Sequence, residues 1–205
     1  MRQINWDDLG ACLEASSLED SRICRKSALT IGVFDGIHRG HQALLSAITG
    51  KKPELIPVVV TFRENPKKQH FSGFSEKSGE KPDDICGFNE KMTLLEGFGV
   101  ELCVIIDFSE NFSTMSGRVF VETLNRYLHP EYIALGMNFH CGYRRDTDAQ
   151  GFKALAENLG ITADIIGPIL EGGAPVSSSR VRAALKAGRF DEASLLLGRE
   201  AARSV

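Results

Sequence analysis

The chain has 205 residues, enough for one well-packed domain and marginal for two. Hydrophobic residues make up 42% and charged residues 25%, an ordinary balance for a soluble globular protein. A formal net charge of -3 excludes the bulk positive charge of a nucleic-acid or acidic-membrane binder, although it is compatible with a local basic pocket.

The opening residues Met1 to Asp8 contain no apolar stretch, so they do not read as a secretory leader. A helix is expected around Leu9 to Leu18. Ala28 to Phe34 is a short apolar run ending at Asp35-Gly36, which predicts a buried strand stopping at a turn. Gln42 to Ile48 follows helical spacing through Leu44, Leu45 and Ile48. Leu55 to Phe62 predicts a second strand. Residues 63 to 87, rich in Lys, Ser, Gly and Pro, predict a long surface loop of the kind that carries function or mobility. Asn89 to Gly97 predicts a helix, Glu101 to Asp107 a third strand, and Ser116 to Leu128 a further helix. Glu131 to Leu135 and Ile161 to Ile166 predict two more strands, separated by a helix over Gln150 to Leu159. Two helices close the chain, Arg180 to Ala187 and Phe190 to Leu197, split by Gly188.

Strands thus alternate with helices, which predicts a parallel sheet covered on both faces. Ligands in such sheets sit at the carboxyl ends of the strands, near the point where strand order reverses. With no internal repeat and no strong linker, residues 1–205 are expected to form a single domain. The five cysteines, Cys12, Cys24, Cys86, Cys103 and Cys141, are odd in number and contain no Cys-x-x-Cys pair. This argues against a disulfide framework or a thiolate zinc site, and for free thiols in a reducing cytoplasm. No apolar run is long enough to span a bilayer.

Two stretches carry the chemistry. The first is Gly32-Val33-Phe34-Asp35-Gly36-Ile37-His38-Arg39-Gly40-His41, where the first strand hands over to a helix. A helix start offers unpaired N–H groups and the positive end of a dipole, which together attract phosphate. Gly36 and Gly40 let the backbone approach a ligand closely. His38 and His41, three apart, can lean to one side of a first helical turn and donate to phosphate oxygens. The second stretch is Val176-Ser177-Ser178-Ser179-Arg180-Val181-Arg182. One serine before a helix is explained as an N-cap. Three serines with two arginines are not, because cations at a helix start oppose its dipole. A bound polyphosphate reverses that penalty. Neither a Gly-x-x-x-x-Gly-Lys-[Ser/Thr] loop nor a strand-borne Gly-x-Gly-x-x-Gly is present.

These stretches, with the tail Leu195-Leu196-Leu197-Gly198-Arg199, resemble the FMN adenylyltransferase half of bacterial-type FAD synthetases, members of the nucleotidylyltransferase superfamily. Thr61-Phe62 with Pro66 is similar to that family's Thr-Phe-x-Pro-His-Pro segment. Gly136 to Gly142 is similar to its Gly-x-[Asp/Asn]-Phe-x-Phe-Gly segment. The resemblance implies a Rossmann-like, doubly wound α/β fold. It implies transfer of AMP from ATP to FMN, giving FAD and pyrophosphate, with magnesium carried on the phosphates and no metal site of the protein's own. Catalytic roles are implied for His38, His41 and Arg182. ATP contacts are implied for Gly32, Phe34, Asp35, Gly36, Gly40, Asn138, Ser177, Ser178 and Ser179. Phe62, Asn65, Pro66 and Phe139 are implied on the flavin side, where Phe62 and Phe139 fit equally as ordinary core aromatics. Asn65 stands where the family often has His, Ser179 where Thr is usual, and His140-Cys141 where Arg and Phe are common. The implied partners are ATP and FMN, with no nucleic acid and no membrane. Because the riboflavin kinase barrel of the two-part family follows the Leu-Gly-Arg segment, a separate riboflavin kinase is expected to supply FMN. An adenylyltransferase for nicotinate mononucleotide or phosphopantetheine, or a non-catalytic flavin- or nucleotide-binding protein, are the alternatives.

Overall fold

The computed structural model describes residues 1–14, 25–66, 84–107 and 109–201. In chain order the elements are β1 (Arg2–Asn5), α1 (Leu9–Glu14), β2 (Ser27–Ile31), α2 (Arg39–Thr49), β3 (Ile56–Phe62), α3 (Phe88–Gly97) and β4 (Leu102–Ile106). They continue with α4 (Glu110–Ser113), α5 (Gly117–Leu128), β5 (Pro130–Gly136), β6 (His140–Cys141), β7 (Thr147–Asp148) and α6 (Ala149–Asn158). The last are β8 (Thr162–Ile166), β9 (Leu170–Glu171), β10 (Ala174–Pro175), α7 (Ser178–Lys186) and α8 (Phe190–Leu197).

Six strands form one sheet in the order β1-β4-β3-β2-β5-β8, every neighbouring pair parallel. Starting from β2, the chain winds outward through β3 and β4, then crosses back to β5 and β8 on the other side. The strand order therefore reverses between β2 and β5, the kind of place at which ligands bind in such sheets. Alternate strand residues point to opposite faces, and the core divides accordingly. Leu29, Ile31, Val58, Val60, Val104 and Ile133 pack with α1, α5 and α6 on one face. Ala28, Val59, Cys103, Ile105 and Ala134 pack with α2 and α3 on the other. Full burial of each aliphatic side chain contributes about 1.5–3 kcal/mol, so these two layers dominate the stability. Helices α7 and α8 build a third cluster of their own around Val176, Val181, Ala184, Ala193, Leu196 and Leu197.

The predicted strands and helices have counterparts, with several differences, one being the four-residue helix α4, which was not predicted. The expected first strand ended at Phe34, but β2 stops at Ile31, because Phe34 turns left-handed with a φ of 53°. Strand β1 was not predicted. It is an edge strand in which only Ile4 is buried, so four residues give no readable periodicity. Two-residue ribbons β6/β7 and β9/β10 are also too short to leave a pattern. Of the helix expected over Leu9 to Leu18, the part beyond Glu14 lies outside the described residues, as does most of the predicted loop 63–87.

Candidate active site

The segment between β2 and α2 is built on strained backbone. Phe34, Gly36 and Ile37 have φ of 53°, 75° and 39°, a region that costs non-glycine residues about 1–3 kcal/mol each. A Cβ on Gly36 would also stand 2.6 Å from Ile85 Cγ2. Such strain persists only where the surroundings over-determine it, and here they do. The Val33 carbonyl accepts from the Thr61 hydroxyl at 3.1 Å and from the Lys91 ammonium at 3.3 Å. The Phe34 carbonyl accepts from the Ile37 N–H at 3.4 Å. The Asp35 carbonyl accepts from the Ser178 hydroxyl at 3.2 Å, that of Gly36 from Arg199 at 2.7 Å, and that of Ile37 from Gln42 at 3.0 Å.

The turn delivers His38 to the N-cap of α2, where its Nδ1 accepts from the His41 N–H at 3.4 Å. That bond assigns the proton of neutral His38 to Nε2, leaving it as a donor. The two imidazoles stack, with centroids 3.7 Å apart and planes 15° from parallel, and the Phe34 ring lies 5.1 Å from His41. Burial lowers the His38 pKa to about 4, and the Arg182 charge pushes the same way against a hydrogen bond that raises it. Burial also holds His41 well below the ordinary value, helped by His38 and Lys91. At neutral pH both rings are therefore uncharged N–H donors. His41 retains some exposed surface, yet its buried Nδ1 has no hydrogen-bond partner among the described residues.

Linkage gives this pair a pH signature. In the unfolded chain His38 titrates near 6.5, in the folded protein near 4, so between these values the unfolded state binds more protons. Stability therefore falls as pH drops from 6.5 to about 4, with His38 contributing about 3 kcal/mol across that window. Urea midpoints measured through this range are expected to decline, and His38→Gln is expected to flatten the decline.

The second stretch closes over the first. Ser177 caps α7 by accepting from the Arg180 N–H at 3.3 Å. Arg182 pairs with the Asp35 carboxylate, whose other oxygen accepts from the Ile85 N–H at 2.8 Å. A Cβ on Gly40 would stand 3.1 Å from the His38 ring and 3.6 Å from the Val176 carbonyl, so glycine permits this approach. Arg39 pairs with Glu171, and Gln42 donates to the Leu197 carbonyl at 2.7 Å. Two stretches roughly 140 residues apart thus meet at the strand-order reversal.

Sequence-based assignments distribute unevenly around this junction. Phe34, Asp35, Gly36, His38, Gly40, His41, Ser177, Ser178 and Arg182 gather within it, and Gly32 ties it to β3 by donating to the Val60 carbonyl at 3.1 Å. Ser179 is exposed beside them. Asn138 is exposed just beyond β5. Phe62 stands edge-on to Phe112 at 6.1 Å, and Phe139 edge-on to Phe152 at 5.3 Å. Both are half-buried with one side in the core, Phe62 at the end of β3 and Phe139 in the turn between β5 and β6. Asn65 and Pro66 are buried just after β3. Arg180, the other arginine of the second stretch, is structural. It donates to the Glu171 and Ala174 carbonyls at 2.7 and 3.0 Å. Lys91 and Arg199 hold the turn and drew no assignment, since a lone cation in a helix or tail carries no spacing signal.

The FAD synthetase family model matches residues 20–180. The chain belongs to the FAD synthetase family. The bifunctional riboflavin kinase/FMN adenylyltransferase of Buchnera aphidicola subsp. Acyrthosiphon pisum is 32% identical over 176 residues, 84% of this chain and 54% of that protein. The Escherichia coli protein of the same name is 30% identical over 173 residues, 83% and 53%. The chain spans about half the length of the curated relatives it matches. Among solved structures, one titled macrolide-efflux protein from Streptococcus pneumoniae superposes with a TM-score of 0.76 at 26% identity, covering 97% of this chain and 62% of that one. Pantoate-beta-alanine ligase from Francisella tularensis superposes at 0.52 with 11% identity, covering 96% and 85%, a likeness of fold alone. The family's α/β architecture is thus the one described above. Among the described residues, no helix is long and apolar enough to cross a membrane.

Proposed function

We propose that this protein transfers the adenylyl group of ATP to FMN, giving FAD and pyrophosphate. The observation that carries the reading is the meeting of the paired imidazoles with the α7 start at the strand-order reversal, in a chain of the FAD synthetase family. Neutral His38 and His41 donate to phosphate oxygens, and Arg182 brings a guanidinium fork. Ser178 and the exposed Ser179 hydroxyl complete the phosphate side, with Asn138 at the end of β5 toward the nucleotide. In this reading the FMN phosphate attacks the α-phosphorus directly while pyrophosphate leaves. The protein's task is to hold two anions in line and to stabilise charge as it moves to the leaving group.

Phe62, Asn65, Pro66 and Phe139 are proposed on the flavin side, at the carboxyl ends of β3 and β5. Among the described residues no group of three or more His, Cys, Asp or Glu side chains is placed to hold a metal ion. The Asp35 carboxylate has both oxygens taken by Arg182 and Ile85. Magnesium is therefore proposed to arrive on the ATP phosphates, as part of the substrate. FMN is proposed to come from a riboflavin kinase activity outside residues 1–205, and the reaction to run in the cytoplasm.

The test is direct. Purified protein with ATP, magnesium and FMN is expected to produce equal amounts of FAD and pyrophosphate, separated by chromatography. A dinucleotide formed only from nicotinate mononucleotide or phosphopantetheine would reassign the acceptor. Tight FMN binding with no pyrophosphate would make the protein a binder.

A further inference from the structure

One buried charge has no part in the phosphate chemistry described so far. Lys91, in the first turns of α3, is only 6% exposed. Its ammonium donates to the Phe62 carbonyl at 2.7 Å and the Val33 carbonyl at 3.3 Å, with the Thr61 hydroxyl 3.5 Å away. Three donors thus face three oxygens, which leaves none for a substrate. Burial lowers the pKa of this group from the ordinary 10.5, a sign of the desolvation it suffers. An apolar side chain would fill the same space without that cost.

What the ammonium holds explains its presence. Phe62 ends β3, and Val33 follows β2 and leads into the left-handed Phe34, whose ring lies against His41. Thr61 also donates to Val33, so Lys91 completes a polar clamp across the carboxyl ends of two adjacent strands. We propose that Lys91 is a positioning residue of the phosphate site, tying β2 to β3 and so holding the Phe34 turn and the stacked His38–His41 pair in place to receive the triphosphate. The clamp acts on the ligand-free protein; only its kinetic consequence rests on the adenylyl-transfer reading. Consistent with close coupling, the Lys91 charge opposes protonation of His41.

Lys91→Met removes the donors and the charge, and Lys91→Gln restores a neutral donor. Lys91→Met is expected to lower kcat for FAD formation by about tenfold or more. In a His41→Ala background the same change is expected to cost less than about threefold, because a residue acting through His41 has little left to position. Lys91→Gln is expected to recover part of the loss. An unchanged kcat, or an equal loss in both backgrounds, would overturn the proposal. A second arm needs no turnover. In the imidazole NMR spectrum of the ligand-free protein, Lys91→Met is expected to move the His38 and His41 ring resonances and leave those of His129 and His140 in place. Unmoved His38 and His41 resonances would overturn the clamp. Absence of FAD from the wild-type protein would remove the adenylyl-transfer reading alone, with the spectrum still deciding the clamp. Should Lys91→Met fail to fold, Lys91→Gln carries both arms, with a smaller kcat loss and smaller resonance shifts expected and their absence overturning the proposal.

Discussion

Replacing His41 by alanine is expected to reduce kcat for FAD formation by about 10²- to 10³-fold while changing stability by no more than about 1 kcal/mol. The asymmetry follows from the site. An N–H donor aimed at a phosphate that gains charge in the transition state acts most strongly there, so its loss falls on kcat. The folded protein, by contrast, gains little from the ring. Its buried Nδ1 has no partner among the described residues, so truncation breaks no hydrogen bond there. The ring contributes a stack on His38 and a contact with Phe34, and α2 stays anchored through Leu44, Leu45 and Ile48. Steady-state kinetics at saturating ATP, with urea unfolding of the same preparation, check both halves. Near-normal turnover would remove His41 from the catalytic group.

Arg182→Ala is expected to damage stability and activity together. Arg182 is 17% exposed and its partner Asp35 6%, so the pair is largely withdrawn from water. Deleting the guanidinium leaves the Asp35 carboxylate buried, with the Ile85 N–H its remaining hydrogen bond among the described residues and the Lys91 charge acting on it without direct contact. Breaking a buried pair in this way costs about 3–5 kcal/mol. For a chain of this size that corresponds to a fall in Tm of roughly 6–20 °C. FAD formation is expected to drop at least about 10²-fold, because the cation proposed to meet the triphosphate is lost as well. Asp35→Asn with Arg182→Ala removes both charges and is expected to recover much of the Tm but not the activity. Recovery of both would make Arg182 a structural residue only.

The contrast between these two residues marks how far the sequence could be read. Paired histidines after an apolar strand, and serines with arginines at a helix start, pointed to phosphate chemistry because each residue type has few other reasons to occupy that local setting. The same logic could not tell Arg182 from Arg180. Both lie within the first five residues of α7 with the same chemistry. One meets Asp35 across the chain, and the other is consumed by the carbonyls of Glu171 and Ala174. Phe62 and Phe139 show a similar limit. Each is an aromatic at or just beyond a strand end with one side in the core, and the residue type alone fits either role.

By itself, the sequence determined the alternation of elements, the two phosphate-suited stretches and the parallel sheet they imply. These are local properties, set by periodicity, by turn residues and by what side chains can donate. Tertiary structure alone decided that the second stretch folds back on the first, and that five successive carbonyls from Val33 to Ile37 are each held by a donor. It alone selected Lys91 and Arg199 as two of those donors. Contacts between residues 58 and 163 positions apart follow from how the sheet winds and where α7 and α8 dock. A short-range pattern carries no record of either.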